Sequence, residues 1–321
     1  MLADVVRRAG AAGLGDLLYY SLVTGGSGLV DPSGPTVIWS TSDDSESRIM
    51  CDAAGRVWLS RDNDWLLIDG DNGSEIWAEG VDDAGSGHQT PANDPEGNSY
   101  YVATGPSTDQ IRSVDVNGTR RWSQSLSHQH SAAINTEWLY VGRGSGSLQR
   151  GYARVDPETG SSSHRSNPDD ALIRGVACIP GGNILIGTNR GNVLRMDEPG
   201  STSTLWKTET HRGLSAVIQN LAYCHATGFV YAIGQNSSDP DFGRIAQVDA
   251  ETGDLGWTRN QPSQGRGIAV NMDGTVVYGD DGNDSIIALD GLDGSLLWSL
   301  PMGGDPRSLD CFPGRFAISG F

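Results

Sequence analysis

Short segments in which apolar and polar residues alternate run along most of the chain, and turns rich in Gly, Asp and Asn separate them. Between Gly267 and Trp298 the order is IAVN, a turn at MDG, TVVYGD, a turn at DGND, SIIALD, a turn at GLDG, and SLLW. Alternation with period two between such turns is typical of β-strands and not of helices. This window therefore predicts four short strands joined by turns.

One phrase in this window recurs along the chain: an apolar residue, an Asp, a turn that contains Gly, and a β-prone stretch that usually ends in Trp. Its Asp residues are 38, 46, 41, 41, 52 and 41 residues apart, a period typical of four-stranded propeller blades. Each Trp is expected to wedge between neighbouring blades. The aspartates are Asp31, Asp69, Asp115, Asp156, Asp197, Asp249 and Asp290. The tryptophans are Trp39, Trp77, Trp122, Trp206, Trp257 and Trp298.

These repeats predict an all-β fold, a seven-bladed β-propeller of four-stranded blades over residues 27–321. Near the C-terminus, RSLDCF and RFAISGF supply the first two strands of a last blade. The segments GLVD and TVIW near the N-terminus supply the other two. We expect this composite blade to close the ring by pairing both ends of the chain.

Residues 1–26 lie outside the repeats and are predicted to form a short helical docking segment. Leu14, Leu17 and Leu18 recur at helical spacing, although glycines interrupt the pattern. An isolated helix of this kind is marginal in water and requires a partner surface. We expect it to pack on its own propeller, on another subunit or on a larger assembly.

The phrases IALDGLDGSLLWSL and QVDAETGDLGWTRN resemble the repeat of the pyrroloquinoline-quinone (PQQ)-like propellers. The resemblance covers nearly all of the chain after residue 26. It implies a propeller, and many members of that family are scaffolds without a cofactor. It also implies that an alcohol-oxidising member would carry a vicinal cysteine disulfide, a calcium site and a catalytic Asp. No two cysteines are adjacent in this sequence, so we predict no cofactor and no catalytic residue.

The charge of the chain indicates the environment in which the protein works. Forty acidic residues against 22 basic ones give a net charge of −18, and Lys207 is the single lysine. This balance resembles proteins of extreme halophiles, where dense carboxylates stay hydrated in molar salt, and an ordinary acidic protein is the alternative. Without a basic stripe, binding to nucleic acid is not expected. No apolar window is long enough to span a bilayer, and Asp16 interrupts the run after Arg7-Arg8, so we predict neither a membrane span nor a cleaved signal peptide.

The four cysteines occupy one repeated slot, at the end of the first strand of a blade and shortly before a turn glycine. Cys51, Cys178, Cys224 and Cys311 take this slot in four blades, and Asn takes it in the other three. One slot in each blade does not produce the clustered spacing of a metal site or the proximity of a disulfide. We therefore predict free thiols and no metal site.

A second repeated slot, three to five residues before the first, holds a basic residue in six of the blades. First strands line the central channel of a propeller, so these residues are expected to surround its mouth on one face. They form either an anion-binding mouth, because Arg offers paired donors, or structural ties to carbonyls and acidic loop residues of adjacent blades. The six residues are Arg48, His88, His130, Arg174, Arg266 and Arg307, and Gln219 or Asn220 holds the slot in the remaining blade.

Together these patterns predict a non-enzymatic structural or interaction module. A virion-associated, tail-associated or cell-surface-binding role in a halophilic system would suit it, with residues 1–26 contacting a protein partner. Its location is then the virion or the cytoplasm of a halophile. The alternatives are a quinone-dependent dehydrogenase and a lectin-like binder of acidic glycans.

Overall fold

A computed structural model describes residues 17–22, 27–31, 36–40, 49–52, 55–61, 64–80, 89–103, 110–126, 129–143, 150–198, 203–211, 216–236, 239–261, 265–304 and 306–312. These residues contain 28 β-strands and no helix. The first fourteen are β1 (Leu17–Leu22), β2 (Ser27–Asp31), β3 (Thr36–Ser40), β4 (Ile49–Cys51), β5 (Arg56–Arg61), β6 (Asp64–Asp69), β7 (Glu75–Gly80), β8 (Gln89–Asn93), β9 (Ser99–Ala103), β10 (Gln110–Val114), β11 (Arg120–Ser125), β12 (Gln129–Ile134), β13 (Leu139–Arg143) and β14 (Gly151–Val155). The other fourteen are β15 (Ser162–Ser166), β16 (Ile173–Cys178), β17 (Ile184–Thr188), β18 (Asn192–Met196), β19 (Thr204–Glu209), β20 (Ala216–Tyr223), β21 (Phe229–Asn236), β22 (Asp239–Asp249), β23 (Leu255–Gln261), β24 (Ile268–Val270), β25 (Thr275–Asp280), β26 (Ser285–Asp290), β27 (Leu296–Pro301) and β28 (Pro306–Phe312).

The strands pair into six sheets. Five have four strands, in the orders β28-β1-β2-β3, β4-β5-β6-β7, β16-β17-β18-β19, β20-β21-β22-β23 and β24-β25-β26-β27. The sixth has eight strands, in the order β11-β10-β9-β8-β12-β13-β14-β15. First strands of neighbouring sheets contact each other in turn, and β28 contacts β4, so the ring closes around a central channel.

The prediction of seven separate blades is wrong. Counted as continuous hydrogen-bonded sheets, the propeller has six blades, because the sequence repeats over 89–125 and 129–166 share one sheet. A parallel pairing of Thr90 with Ser131 joins β8 to β12 at the channel, so two repeats that are separate in sequence become continuous.

The predicted N-terminal helix is also wrong over the described residues. Leu17–Leu22 form β1, which pairs with β28 on one side and with β2 on the other. The segment LLYYSL is rich in residues that favour a half-buried pleated surface, and pairing on both sides outweighs its weak helical spacing. The closing sheet therefore takes three strands from the N-terminal part of the chain and one from the C-terminal part, and not two from each. The segment RFAISGF and residues 1–16 lie outside the described residues.

Side-chain burial decreases from the channel to the rim. In the sheet that contains β16, every residue of β17 and β18 is buried, whereas β19 alternates between half-buried and exposed positions. These middle strands are covered on both faces by neighbouring sheets, so all of their residues are buried, including the polar Thr188, Asn192 and Arg195. Apolar clusters fill these interfaces; one of them joins Tyr231 and Ile245 to Ile268 and Val276 of the next sheet.

Where its side chain is described, the repeated Trp joins the outer strand of one repeat to the following repeat. The indole nitrogen of Trp257 donates to the carbonyl of Gly291 at 2.8 Å. Gly294 in the same turn has φ of +75°, and a Cβ built there would lie 2.8 Å from Cδ2 of Trp257. Trp206 and Trp122 donate in the same way, to Ala250 and Pro157. Trp298 packs on a cluster that includes Leu309, and the side chain of Trp39 lies outside the described residues.

The repeated Asp shapes the turn on which this Trp packs. Oδ1 of Asp290 accepts the amide of Leu292 at 2.8 Å, and Oδ1 of Asp249 accepts the amides of Glu251 and Thr252. Asp69, Asp115 and Asp156 accept backbone amides in the same way. These side chains satisfy turn amides locally, so they belong to the fold and not to a ligand site.

Candidate functional site at the channel mouth

The first strands share an irregularity near the end where they enter the channel. In β12, Gln129 pairs with Arg143 and Ser131 pairs with Gly142, so His130 is an extra residue on that strand. The same shift makes Arg174 the extra residue of β16 and Gln219 that of β20. In β28, Arg307 stands between the paired residues Pro306 and Ser308. These positions are β-bulges, which leave one residue out of the ladder and redirect its side chain.

Small residues on the second strands accommodate the bulged strand of the next sheet. A Cβ built on Gly187 of β17 would lie 2.6 Å from Cγ2 of Ile218 on β20, and one on Gly142 of β13 would lie 3.0 Å from the carbonyl oxygen of Ile173 on β16. Both contacts are too close for a larger residue. A Gly inside an otherwise apolar strand is a known signal for close backbone approach, and it could have revealed these contacts from the sequence.

Arg174 is the best-defined cation of the mouth. It is half-buried, and its Nη1 donates to Oε1 of Gln219 at 2.9 Å. Its Nε is buried and no described group accepts a hydrogen bond from it. Burial lowers the pKa of Arg174, and the nearby charge of Arg266 lowers it further. Arg174 therefore has a neutral amide and a second cation beside it, and no described carboxylate pairs with it.

Arg266 lies two residues before the short strand β24. Its Nε lies 4.0 Å from Oδ2 of Asp281, and its side chain is 33% exposed. That separation is at the limit of an ion pair. The mouth therefore combines two guanidinium groups from different sheets with the amide of Gln219.

The remaining predicted residues are described only in part. His130 is half-buried on β12. The backbone of Arg307 forms the bulge of β28, while its side chain lies outside the described residues, as do Arg48 and His88. For the slot with two candidates, the bulge selects Gln219, because Asn220 is buried and its Oδ1 accepts the amide of Leu221.

Sequence reasoning missed a second basic group near the bulge of β12. Arg143 pairs across the ladder with Gln129, is 7% exposed, and has Nη1 3.2 Å from Nδ1 of His164. Burial lowers the pKa of Arg143. Burial also lowers the pKa of His164, and the charge of Arg143 adds to this effect. Arg143 does not belong to the repeated slots, so the period of the sequence gave no signal for it.

The slot of the cysteines lies at the opposite ends of the first strands and ties neighbouring sheets together. Nδ2 of Asn93 donates to the carbonyl of Cys51 at 3.3 Å, and Sγ of Cys224 donates to the carbonyl of Asn271 at 3.6 Å. Cys51, Cys178 and Cys224 are buried and unbridged, which confirms free thiols for these three. The part of the chain that the structure describes contains no group of three or more His, Cys, Asp or Glu side chains that could hold a metal ion. It also contains no helix that could cross a bilayer.

With this geometry in view, comparisons with known proteins agree on the class of protein. The family model of the outer membrane protein assembly factor BamB matches residues 189–310, well under half of the chain. The crystal structure of BamB from Moraxella catarrhalis is similar, with a TM-score of 0.55 and 15% identity over 79% of this chain and 77% of that one. No curated protein sequence matches the chain. The protein is thus a β-propeller, and its residues 189–310 are similar to PQQ-like repeats.

Two further structures show the breadth of the similarity in fold. The Swd1 β-propeller domain of Myceliophteria thermophila has a TM-score of 0.65 and 12% identity over 81% of this chain and 87% of that one. Quinohemoprotein alcohol dehydrogenase from Comamonas testosteroni has a TM-score of 0.59 and 14% identity over 91% of this chain and 66% of that one. At these identities the similarity concerns the fold alone.

The described residues do not fit a quinone site assisted by calcium. Calcium takes six or more oxygen ligands, and carboxylates usually supply several of them. The described mouth offers hydrogen-bond donors from Arg174 and Arg266, and the carboxylate of Asp281 lies beside Arg266. Such a set of side chains suits an acceptor-rich anion better than a cation.

Proposed function

We propose that this protein is a non-catalytic interaction module whose channel mouth binds an acidic group of a protein partner. One observation carries the proposal: Arg174 and Arg266 are close enough for one charge to lower the pKa of the other, and no described carboxylate pairs with Arg174. Two like charges held together at a partly buried position are unfavourable unless an anion joins them.

The chemistry of the mouth favours a carboxylate. A guanidinium group presents parallel donors that match the two oxygens of a carboxylate, and such paired bonds are stronger than neutral ones. Gln219 already accepts one N–H of Nη1 of Arg174 and Nε is buried, so the remaining Nη donors are the ones that an incoming group would meet. Because the chain as a whole carries a net charge of −18, most of its surface repels an acidic segment. The basic mouth attracts such a segment and therefore determines where it docks.

The comparisons support a role in assembly. The matching family model is described as an assembly factor, and one of the similar structures is of that protein. We further propose that the protein comes from a halophilic system and acts in a virion, in a tail or at a cell surface. The acid-rich composition with its single lysine supports the first of these. Contact with a partner through the N-terminal segment would use residues 1–16 and 23–26, because Leu17–Leu22 already pair within the closing sheet.

Isothermal titration calorimetry in molar KCl tests the mouth. The full chain is titrated with a short peptide of alternating Asp and Gly, with its Asn counterpart, and with an oligomer of galacturonate. We expect the Asp peptide to bind and Arg174→Gln to weaken it at least about tenfold, which is the scale of one lost charge-assisted bond pair. Arg120→Gln, at an exposed position on the outer strand β11, is the matched control and should bind normally.

Two results would contradict the proposal. Equal affinity of Arg174→Gln and the unmodified chain would exclude the mouth as the anion site. Binding of galacturonate without binding of the Asp peptide would replace the protein partner with an acidic glycan and favour the lectin-like alternative.

A further inference from the structure

A cluster of exposed leucines lies on one outer strand, away from the channel mouth. Leu296 and Leu297 of β27 are 53% and 50% exposed, and Leu292 in the preceding turn is 68% exposed. Leu255, at the start of the neighbouring outer strand β23, is also exposed. Single exposed apolar residues are ordinary, whereas a cluster within a few residues is typical of a contact surface.

The strand that carries this cluster is an open sheet edge. In the order β24-β25-β26-β27, β27 is the last strand, and no described strand pairs with its outer side. Its sequence LLWSLP contains no charged residue, and neither does TVIWS of the outer strand β3, whereas β7, β11, β15, β19 and β23 each contain at least one. Natural proteins usually place charges on edge strands, because a free apolar edge recruits another strand. The absence of that protection is consistent with an edge that is used.

Acidic residues surround the apolar strand at its turn end. Asp290 and Asp293 belong to the turn before β27, and Asp254 lies immediately before β23. The hydroxyl and amide of Ser295 donate to Asp293 and lower its pKa, so this carboxylate is ionised at neutral pH. The surface therefore combines an apolar strand with negative charge at one end.

We infer that β27 accepts an extended segment of a partner protein as an additional strand. Backbone hydrogen bonds to the open edge provide affinity, and apolar side chains of the incoming segment pack on the exposed leucines of β27. The acidic turn selects a segment with Arg or Lys at the end that meets Asp290 and Asp293. A second copy of this chain is the less favourable occupant, because two such edges would bring acidic turns and a net charge of −18 on each copy together.

The test uses a synthetic peptide of alternating Val and Thr with arginines at one end, and a counterpart with glutamates in their place. Fluorescence anisotropy with the full chain measures affinity, and hydrogen exchange of the β27 amides locates the bound peptide. Leu297→Asp disrupts the apolar strand. Leu205→Asp is the matched control, because Leu205 also precedes a repeat Trp, is also 50% exposed, and lies on the charged strand β19.

We expect the arginine peptide to bind and to protect the β27 amides, and Leu297→Asp to weaken binding at least about tenfold relative to Leu205→Asp. The glutamate peptide should bind the unmodified chain more weakly than the arginine peptide does. Equal weakening by both variants, or binding without protection of β27, would overturn the inference. Concentration-dependent protection of β27 without peptide would assign the edge to a second copy and overturn it as well. Circular dichroism of each variant distinguishes lost binding from lost folding.

Discussion

Replacing Gly294 with alanine tests how much the contact between Trp257 and the next sheet contributes to stability. The substitution meets two obstacles: a backbone with φ of +75°, and an indole ring 2.8 Å from the new methyl group. A left-handed conformation costs an L-residue about 1–2 kcal/mol, and overpacking costs about 1–3 kcal/mol more. We therefore expect Gly294→Ala to lower the free energy of unfolding by about 2–5 kcal/mol.

Gly228 separates these two costs. Its φ of +74° matches that of Gly294, but a Cβ built there meets no atom within 4 Å. Gly228→Ala should therefore show the backbone cost alone, and the effect of alanine on the unfolded chain is the same in both variants. The difference between the two variants, about 1–3 kcal/mol, measures the packing of Trp257 on the turn.

Urea unfolding followed by circular dichroism and by tryptophan emission provides the measurement. We expect a lower midpoint for Gly294→Ala than for Gly228→Ala, and a shift of emission to longer wavelength in the folded form as water reaches Trp257. Equal midpoints would refute the reasoning, because they would show that the next sheet shifts freely to admit the methyl group.

Two further predictions concern buried titratable groups. Burial lowers the pKa of His211 from 6.5 to about 4. Between these two pH values the unfolded chain binds the proton more readily than the folded chain, so the free energy of unfolding falls as the pH falls, by about 3 kcal/mol over the whole range. A His211→Gln variant should therefore show a flatter dependence of the urea midpoint on pH between 4 and 6.5. Glu198 is 2% exposed, accepts the hydroxyl of Tyr152 at 2.6 Å and pairs with Arg154 at 3.5 Å. Glu198→Gln leaves the part-buried Arg154 without this counter-charge, so we expect the free energy of unfolding in urea to fall by about 1–3 kcal/mol, and an unchanged midpoint would show that the pair contributes nothing net.

The repeat explains why much of the fold was predictable from the sequence. Each Asp and Gly of the phrase acts within its own turn, as Asp290 and Gly294 show, so local chemistry determines the four-strand unit. The basic slot was found by its position in the repeat, and four of its members coincide with the bulges of the first strands. That coincidence could not be read from the sequence, because a bulge is defined by which partner residues pair across the ladder.

What the sequence alone determined is the class of fold, the unit of repetition and the placement of the Trp contacts. These features depend on interactions within a few residues, or on a period that recurs along the chain. Only the tertiary structure decided that Leu17–Leu22 join the closing sheet, that β8 and β12 merge two repeats, and that Gln219 and not Asn220 contacts Arg174. Each of these depends on hydrogen bonds or packing between residues far apart in sequence, where several pairings satisfy the same local pattern and the assembled ring selects one.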